Sequence, residues 1–227
     1  MATGERIEIN IFWHILLKNH AIEIIREQLR CMKESGLFDR ANNIFIGLIV
    51  VDFTLLKEFQ LIISSIKTNI VAESVNELDY EFLTLDYVYE KCCKENPFYG
   101  LYIHTKGVSY PGNEGGKFWL DYMNHYNITR WKEAVDKLDK GYDLFGVNML
   151  TENNIPANRR HYSGNFFWFW SDYISTLTDP KLLDRRNRGE AEMWACSNYP
   201  IAATGCQVFV DYNTKGKFEP FKINSNI

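Results

Sequence analysis

The chain has 227 residues, 46% of them hydrophobic and 24% charged, a globular balance that excludes wholesale disorder or a fibrous fold and suits a single α/β domain with a large core. Its formal net charge of −4 provides no global electrostatic footprint for nucleic acid. The five cysteines, odd in number and without C-x-x-C spacing, read as reduced thiols, and with no leader-like start and no apolar run of about 18 residues the expectation is a cytoplasmic protein without a transmembrane segment.

In chain order, residues 7–15 form an apolar, β-branched run, and residues 20–35 place Ile24, Ile25, Leu29 and Met32 at helical spacing until Gly36 interrupts. This predicts strand, then helix. Residues 44–51 (IFIGLIVV) are continuously apolar, as in a strand buried on both faces, and a helical pattern follows over 55–66. A short apolar stretch at Ile70 and Val71, a helix over 80–94 and a strand over 99–104 (YGLYIH) complete the first half. Strands alternating with helices predict a mostly parallel sheet with right-handed crossovers and flanking helices, whose ligands lie beyond the carboxyl ends of its strands.

The second half opens with a Gly-containing loop over 107–116, then helices over 117–126 and 130–140 and a strand over 142–147. After an irregular stretch over 148–160, residues 161–170 (HYSGNFFWFW) read as strand, residues 171–177 as helix and residues 185–195 as helix. No internal repeat or low-complexity linker interrupts the chain, so one domain over 1–227 is expected, with residues 1–110 and 111–227 as its two halves.

Three segments concentrate chemistry. In LYIHTKGVS the expected strand ends directly in His104, Thr105, Lys106 and Gly107. Lys106 offers a point positive charge to a diphosphate, His104 a metal ligand or hydrogen bond, and Gly107 close backbone approach; an ordinary solvated turn would use the same Gly and Lys. In HYSGNFFW, Gly164 and Asn165 would admit a ligand to the backbone, with Asn165 reading sugar hydroxyls, while Phe166 and Trp168 read first as core residues. Over 185–194, Glu192 is a candidate base for an attacking hydroxyl, although Arg186 with Glu190 and Arg188 with Glu192 also suit a solvated helix face.

Taken together, LYIHTKG, Trp131 with the following GYDLFGVN, then HYSGNFFW and AEMW resemble a family of small GT-A-like glycosyltransferases found in polysaccharide gene clusters and large DNA viruses. The similarity runs from about residue 9 to 194. The resemblance implies a GT-A-like, Rossmann-like fold, a nucleotide diphosphate sugar as donor, UDP-sugar favoured, and a glycan hydroxyl as acceptor. It implies that Trp13 and His14 receive the base and ribose, that His104, Thr105, Lys106 and Gly107 meet the diphosphate, and that Ser163, Gly164 and Asn165 face donor sugar and acceptor. Glu192 stands near the usual catalytic base of an inverting transfer, with Lys106 supporting the leaving group. The Asp-x-Asp metal motif of such enzymes is missing here. A divalent cation, Mn or Mg, would then be held by groups such as His104 and His161, or replaced by Lys106. Glu81, in YEFLTLDY ahead of the donor strand, has two readings, a contact to the nucleotide or the start of a helix, and the helix start is favoured.

Two other readings belong to different classes. The missing Asp-x-Asp suits a catalytically inactive nucleotide-sugar or glycan-binding module. A hydrolase is disfavoured, because no G-x-x-x-x-G-K-[ST] loop, no G-x-G-x-x-G after the first strand and no G-x-S-x-G elbow occur.

Overall fold

A computed structural model describes residues 6–108, 114–150 and 160–206; parts of the expected 107–116 loop and of the irregular 148–160 stretch lie outside them. The elements are β1 (Ile9–Leu17), α1 (Ala21–Glu34), α2 (Leu37–Arg40), β2 (Asn43–Val50), α3 (Leu56–Ile63), β3 (Asn69–Ser74), α4 (Phe82–Lys94) and β4 (Tyr99–His104) in the first half. The second half contributes α5 (Glu114–Asn124), a π-helical turn (His125–Thr129), α6 (Trp131–Asp139), β5 (Leu144–Gly146), β6 (Met149–Leu150), β7 (His161–Tyr162), β8 (Phe167–Trp170), α7 (Ser171–Ser175), α8 (Arg188–Met193) and β9 (Ala202–Thr204).

Seven strands form one sheet in the order β3-β2-β1-β4-β8-β5-β9, while β6 and β7 pair separately as a small ribbon. β3, β2, β1 and β4 are mutually parallel; β8 runs antiparallel between β4 and β5, and β9 is parallel to β5. The architecture is α/β, a mostly parallel sheet flanked by helices. From β1 the chain builds outward through β2 and β3, then crosses back to lay β4 on β1's other side. β1 and β4 therefore bound a topological switch point, where the crossovers diverge and leave a crevice at the strands' carboxyl ends.

β1 and β2 have few polar residues because both faces of the sheet are covered. Their side chains alternate between two cores. Ile9, Ile11, Trp13 and Ile15 pack with Ile44, Ile46, Leu101, Ile103 and Trp168 on the α1 side. Phe12, Phe45, Tyr102, Phe167 and Phe169 pack with α4 residues Phe82, Leu85 and Val88 and with Trp194 on the other. No helix among the described residues is long and apolar enough to cross a membrane.

Two expected elements differ. Residues 161–170 are not one strand, because a turn separates β7 from β8: Asn165 N–H donates to the Tyr162 carbonyl at 2.9 Å, and Gly164 sits at φ +92° and Asn165 at φ +56°, backbone that a ladder cannot accommodate but that Gly and Asn tolerate. The helix expected from residue 185 begins at Arg188, where Asn187 Oδ1 accepts the Gly189 N–H at 3.0 Å and caps the first turn. Arg186 accordingly pairs with Asp184 rather than Glu190, whereas Arg188 does meet Glu192 at 3.4 Å.

One glycine decides how closely α4 approaches the sheet. A Cβ at Gly47 would lie 2.0 Å from Thr84 Oγ1 and 3.3 Å from Thr84 Cα. Gly47→Ala is therefore expected to destabilise the fold by about 1–3 kcal/mol through overpacking, read as a lower urea midpoint at unchanged m-value.

Candidate functional site

A cavity of about 320 Å³ opens at the switch point. Its walls come from the ends of β1 and β4 (His14, Leu16, His104), the segment after β4 (Thr105, Lys106, Gly107, Val108), the approach to α4 (Glu77, Tyr80, Glu81), α5 (Gly116, Trp119) and α8 (Arg188, Glu192). The local sequence brings each of these there for a different reason.

β1 and β4 are in register with His14 opposite His104, so the two imidazoles arrive side by side where the strands end. His14 Nδ1 lies 2.8 Å from Thr84 Oγ1, a contact permitted by the missing side chain at Gly47. His104 Nε2 donates to the Gly164 carbonyl at 2.9 Å, since a carbonyl only accepts. The His104 carbonyl in turn accepts from Gln28 Nε2 at 2.9 Å, and Gln28 Oε1 accepts from Trp13 Nε1 at 2.8 Å. Burial lowers His14 to about 4, with His104 and Arg188 adding to the effect and Glu81 opposing it. Burial, then the positive charge of Lys106, lowers His104 to about 3. Both rings are neutral at physiological pH.

Glu81 lies at the centre of the floor. It directly precedes α4, and its carboxylate is turned inward, 6% exposed. Its Oε2 accepts from Asn165 Nδ2 and from the Tyr102 hydroxyl at 3.5 Å. Its Oε1 is 3.9 Å from both His104 Nδ1 and Arg188 Nη2. Because His104 is neutral, its approach to Glu81 is not an ion pair. Tyr80, just before Glu81, holds φ +47°, a conformation that bulky residues avoid unless their surroundings impose it.

At the rim, Lys106 is half-buried beside Gly107 (φ +87°). Glu192 and Arg188 share α8 and both face the cavity, with Arg188 placed between Glu81 and Glu192. Trp119 presents a ring to the same space, stacked on Tyr122 with centroids 5.5 Å apart.

His14, His104, Thr105, Lys106, Gly107 and Glu192 thus line one cavity, and Gly164 and Asn165 adjoin it through His104 and Glu81. Not every expected side chain is turned toward the cavity. Trp13 is fully buried on the α1 face; strand alternation points it away from the cavity, and it acts on the site through Gln28. The Thr105 hydroxyl is engaged with β1, accepting the Leu16 N–H at 3.0 Å. Ser163 donates its N–H to the Asn148 carbonyl at 2.9 Å and does not line the cavity. His161 belongs to the β6–β7 ribbon and is not among the residues that line this cavity. Glu81 does more than start a helix. Among the described residues, no three His, Cys, Asp or Glu side chains are grouped to ligate a cation.

Arg188, Trp119 and Gln28 are cavity or supporting residues that sequence reasoning missed, and Glu81 is one that it weighs as a nucleotide contact but sets down as a helix start. Arg188 had a signal in its spacing to Glu192, and Glu81 in its place just before an apolar helical run.

The family model described as Domain of unknown function (DUF8361) matches residues 9–208, and the chain belongs to that family. No curated protein matches the chain.

Proposed function

We propose that this member of the DUF8361 family is a GT-A-like glycosyltransferase that moves a hexose or deoxyhexose from a nucleotide diphosphate sugar, UDP-sugar favoured, to a glycan hydroxyl with inversion. The observation that carries the reading is the combination, in one switch-point cavity, of the Lys106 and Arg188 cations with the buried Glu81–Asn165 floor. A sugar pyrophosphate presents anionic and hydroxyl groups side by side, and such a cavity answers both.

In this reading Glu192 accepts the proton of the acceptor hydroxyl, whose oxygen bonds to the anomeric carbon. The bond from that carbon to the diphosphate oxygen breaks, and its electron pair leaves with the diphosphate. Lys106 and Arg188 stabilise the charge that develops there. Trp119 supplies an aromatic face for a base or sugar ring.

Calorimetric titration with UDP-, GDP- and dTDP-sugars, with and without manganese, tests the proposal, and a chain that binds none of these donors does not carry this function. Release of free nucleotide, with a glycan acceptor or slowly with water, separates transfer from the inactive binding module that the absent Asp-x-Asp also suits. Lys106→Ala is expected to lower that release on the order of 100-fold; unchanged release would remove Lys106 from the mechanism.

A further inference from the structure

The floor of the cavity carries two hydrogen-bond acceptors that face each other. His104 Nε2 bears the ring hydrogen because its partner is the Gly164 carbonyl, which leaves Nδ1 of the neutral imidazole as a lone pair. Opposite it, at 3.9 Å, is Glu81 Oε1. Both protein donors to this carboxylate, Asn165 Nδ2 and the Tyr102 hydroxyl, converge on the other oxygen, Oε2. Oε1 meets His104 Nδ1 and Arg188 Nη2 only at 3.9 Å, beyond hydrogen-bond distance. Both side chains line the cavity, so a ligand there can reach these lone pairs.

From this juxtaposition we propose that Glu81 Oε1 and His104 Nδ1 form a subsite for a vicinal diol, the paired ring hydroxyls of a sugar. Two facing acceptors need two donors, and a single hydroxyl has one hydrogen. Two hydroxyls on adjacent ring carbons each direct an O–H to one acceptor while their lone pairs face the Arg188 guanidinium. The surrounding charge selects against other donors: Arg188 lies 3.9 Å from the same oxygen, and the Lys106 charge acts on His104. A metal ion or an ammonium group would meet these cations at short range, whereas an uncharged polyol would not. Glu81 and His104 are therefore residues of sugar recognition. The proposal deepens the sugar-transfer reading and rests on it for the ligand's identity.

Saturation-transfer NMR of the full chain with the methyl α-glycosides of glucose, galactose and mannose tests the subsite without a nucleotide. At least one glycoside should bind, and Glu81→Gln, which turns an N–H₂ toward His104, should weaken it about tenfold or more. Where Glu81→Gln does not fold, the wild-type chain and the 2-, 3-, 4- and 6-deoxy analogues of the bound glycoside give the same answer. Loss of either hydroxyl of one adjacent pair should weaken binding about tenfold, while the other deletions are tolerated. Uniform affinity across the deoxy series, equal binding by wild type and Glu81→Gln, no binding of any glycoside, or manganese binding that Glu81→Gln abolishes would each overturn the subsite. Parallel titrations with UDP, GDP and dTDP keep the two proposals apart. Glycoside binding that depends on Glu81, without affinity for any nucleotide diphosphate, preserves the subsite and removes sugar transfer; nucleotide binding without glycoside binding does the reverse.

Discussion

Lowering the pH from 7 to 5 is expected to destabilise the protein steeply, approaching about 1.4 kcal/mol per pH unit for each of two imidazoles. His14 and His104 are lowered from 6.5 to about 4 and about 3 in the folded chain. In the unfolded chain both titrate near 6.5. Above that value neither state binds a proton at these positions, and the stability associated with them is fully present. Between about 6.5 and 4 the unfolded chain takes up a proton at each imidazole while the folded chain does not, so protons favour unfolding and stability falls with pH. The loss levels off only as the folded values are reached. The charged groups facing these rings are Glu81, Arg188, Lys106 and Glu192. Urea midpoints at pH 7, 6 and 5 measure the slope, and His104→Gln should remove about half of it, since one of the two protons is lost. A flat profile would mean that the imidazoles are protonated in the folded chain, and the acceptor role of His104 Nδ1 would go with it.

Gly164→Ala is expected to cost about 2–5 kcal/mol, the sum of left-handed backbone in a residue with a Cβ (about 1–2 kcal/mol) and overpacking (about 1–3 kcal/mol). Gly164 has φ +92°, and its Cβ would lie 2.3 Å from Met123 Sδ and 2.7 Å from Trp119 Nε1. α5 thus closes directly onto this backbone. The substitution also acts on the site, because the Gly164 carbonyl orients His104 and the next residue, Asn165, holds Glu81. Urea unfolding together with donor titration should show both losses, whereas Ser163→Ala, which keeps the backbone N–H that donates to Asn148, should change stability by less than about 0.5 kcal/mol. Equal stability of the two variants would contradict the packing of α5 on the turn.

The parallel strands were legible because their signal is local. YGLYIH is a strand from Tyr99 to His104 in both sequence and structure, and the periodicity of residues 20–35 corresponds to α1, Ala21–Glu34. The turn inside HYSGNFFWFW was misread because its apolar aromatics mask a change of direction made by Gly164 and Asn165. β9, three residues without a strong pattern, escaped notice because its strand character comes from pairing with β5.

By itself, then, the amino-acid order determined the run of alternating strands and helices and the placing of His104 and Lys106 at a strand's end, since burial on both faces and helical spacing are written in neighbouring residues. Only the tertiary structure decided which charged groups belong to the site. Glu81 and Arg188 stand 107 positions apart and come within 3.9 Å because α4 and α8 pack toward the same crevice. A carboxylate before a helix and an arginine in its first turn look the same in sequence whether they face water or one another, and the orientation of each follows from long-range packing rather than from its neighbours in the chain.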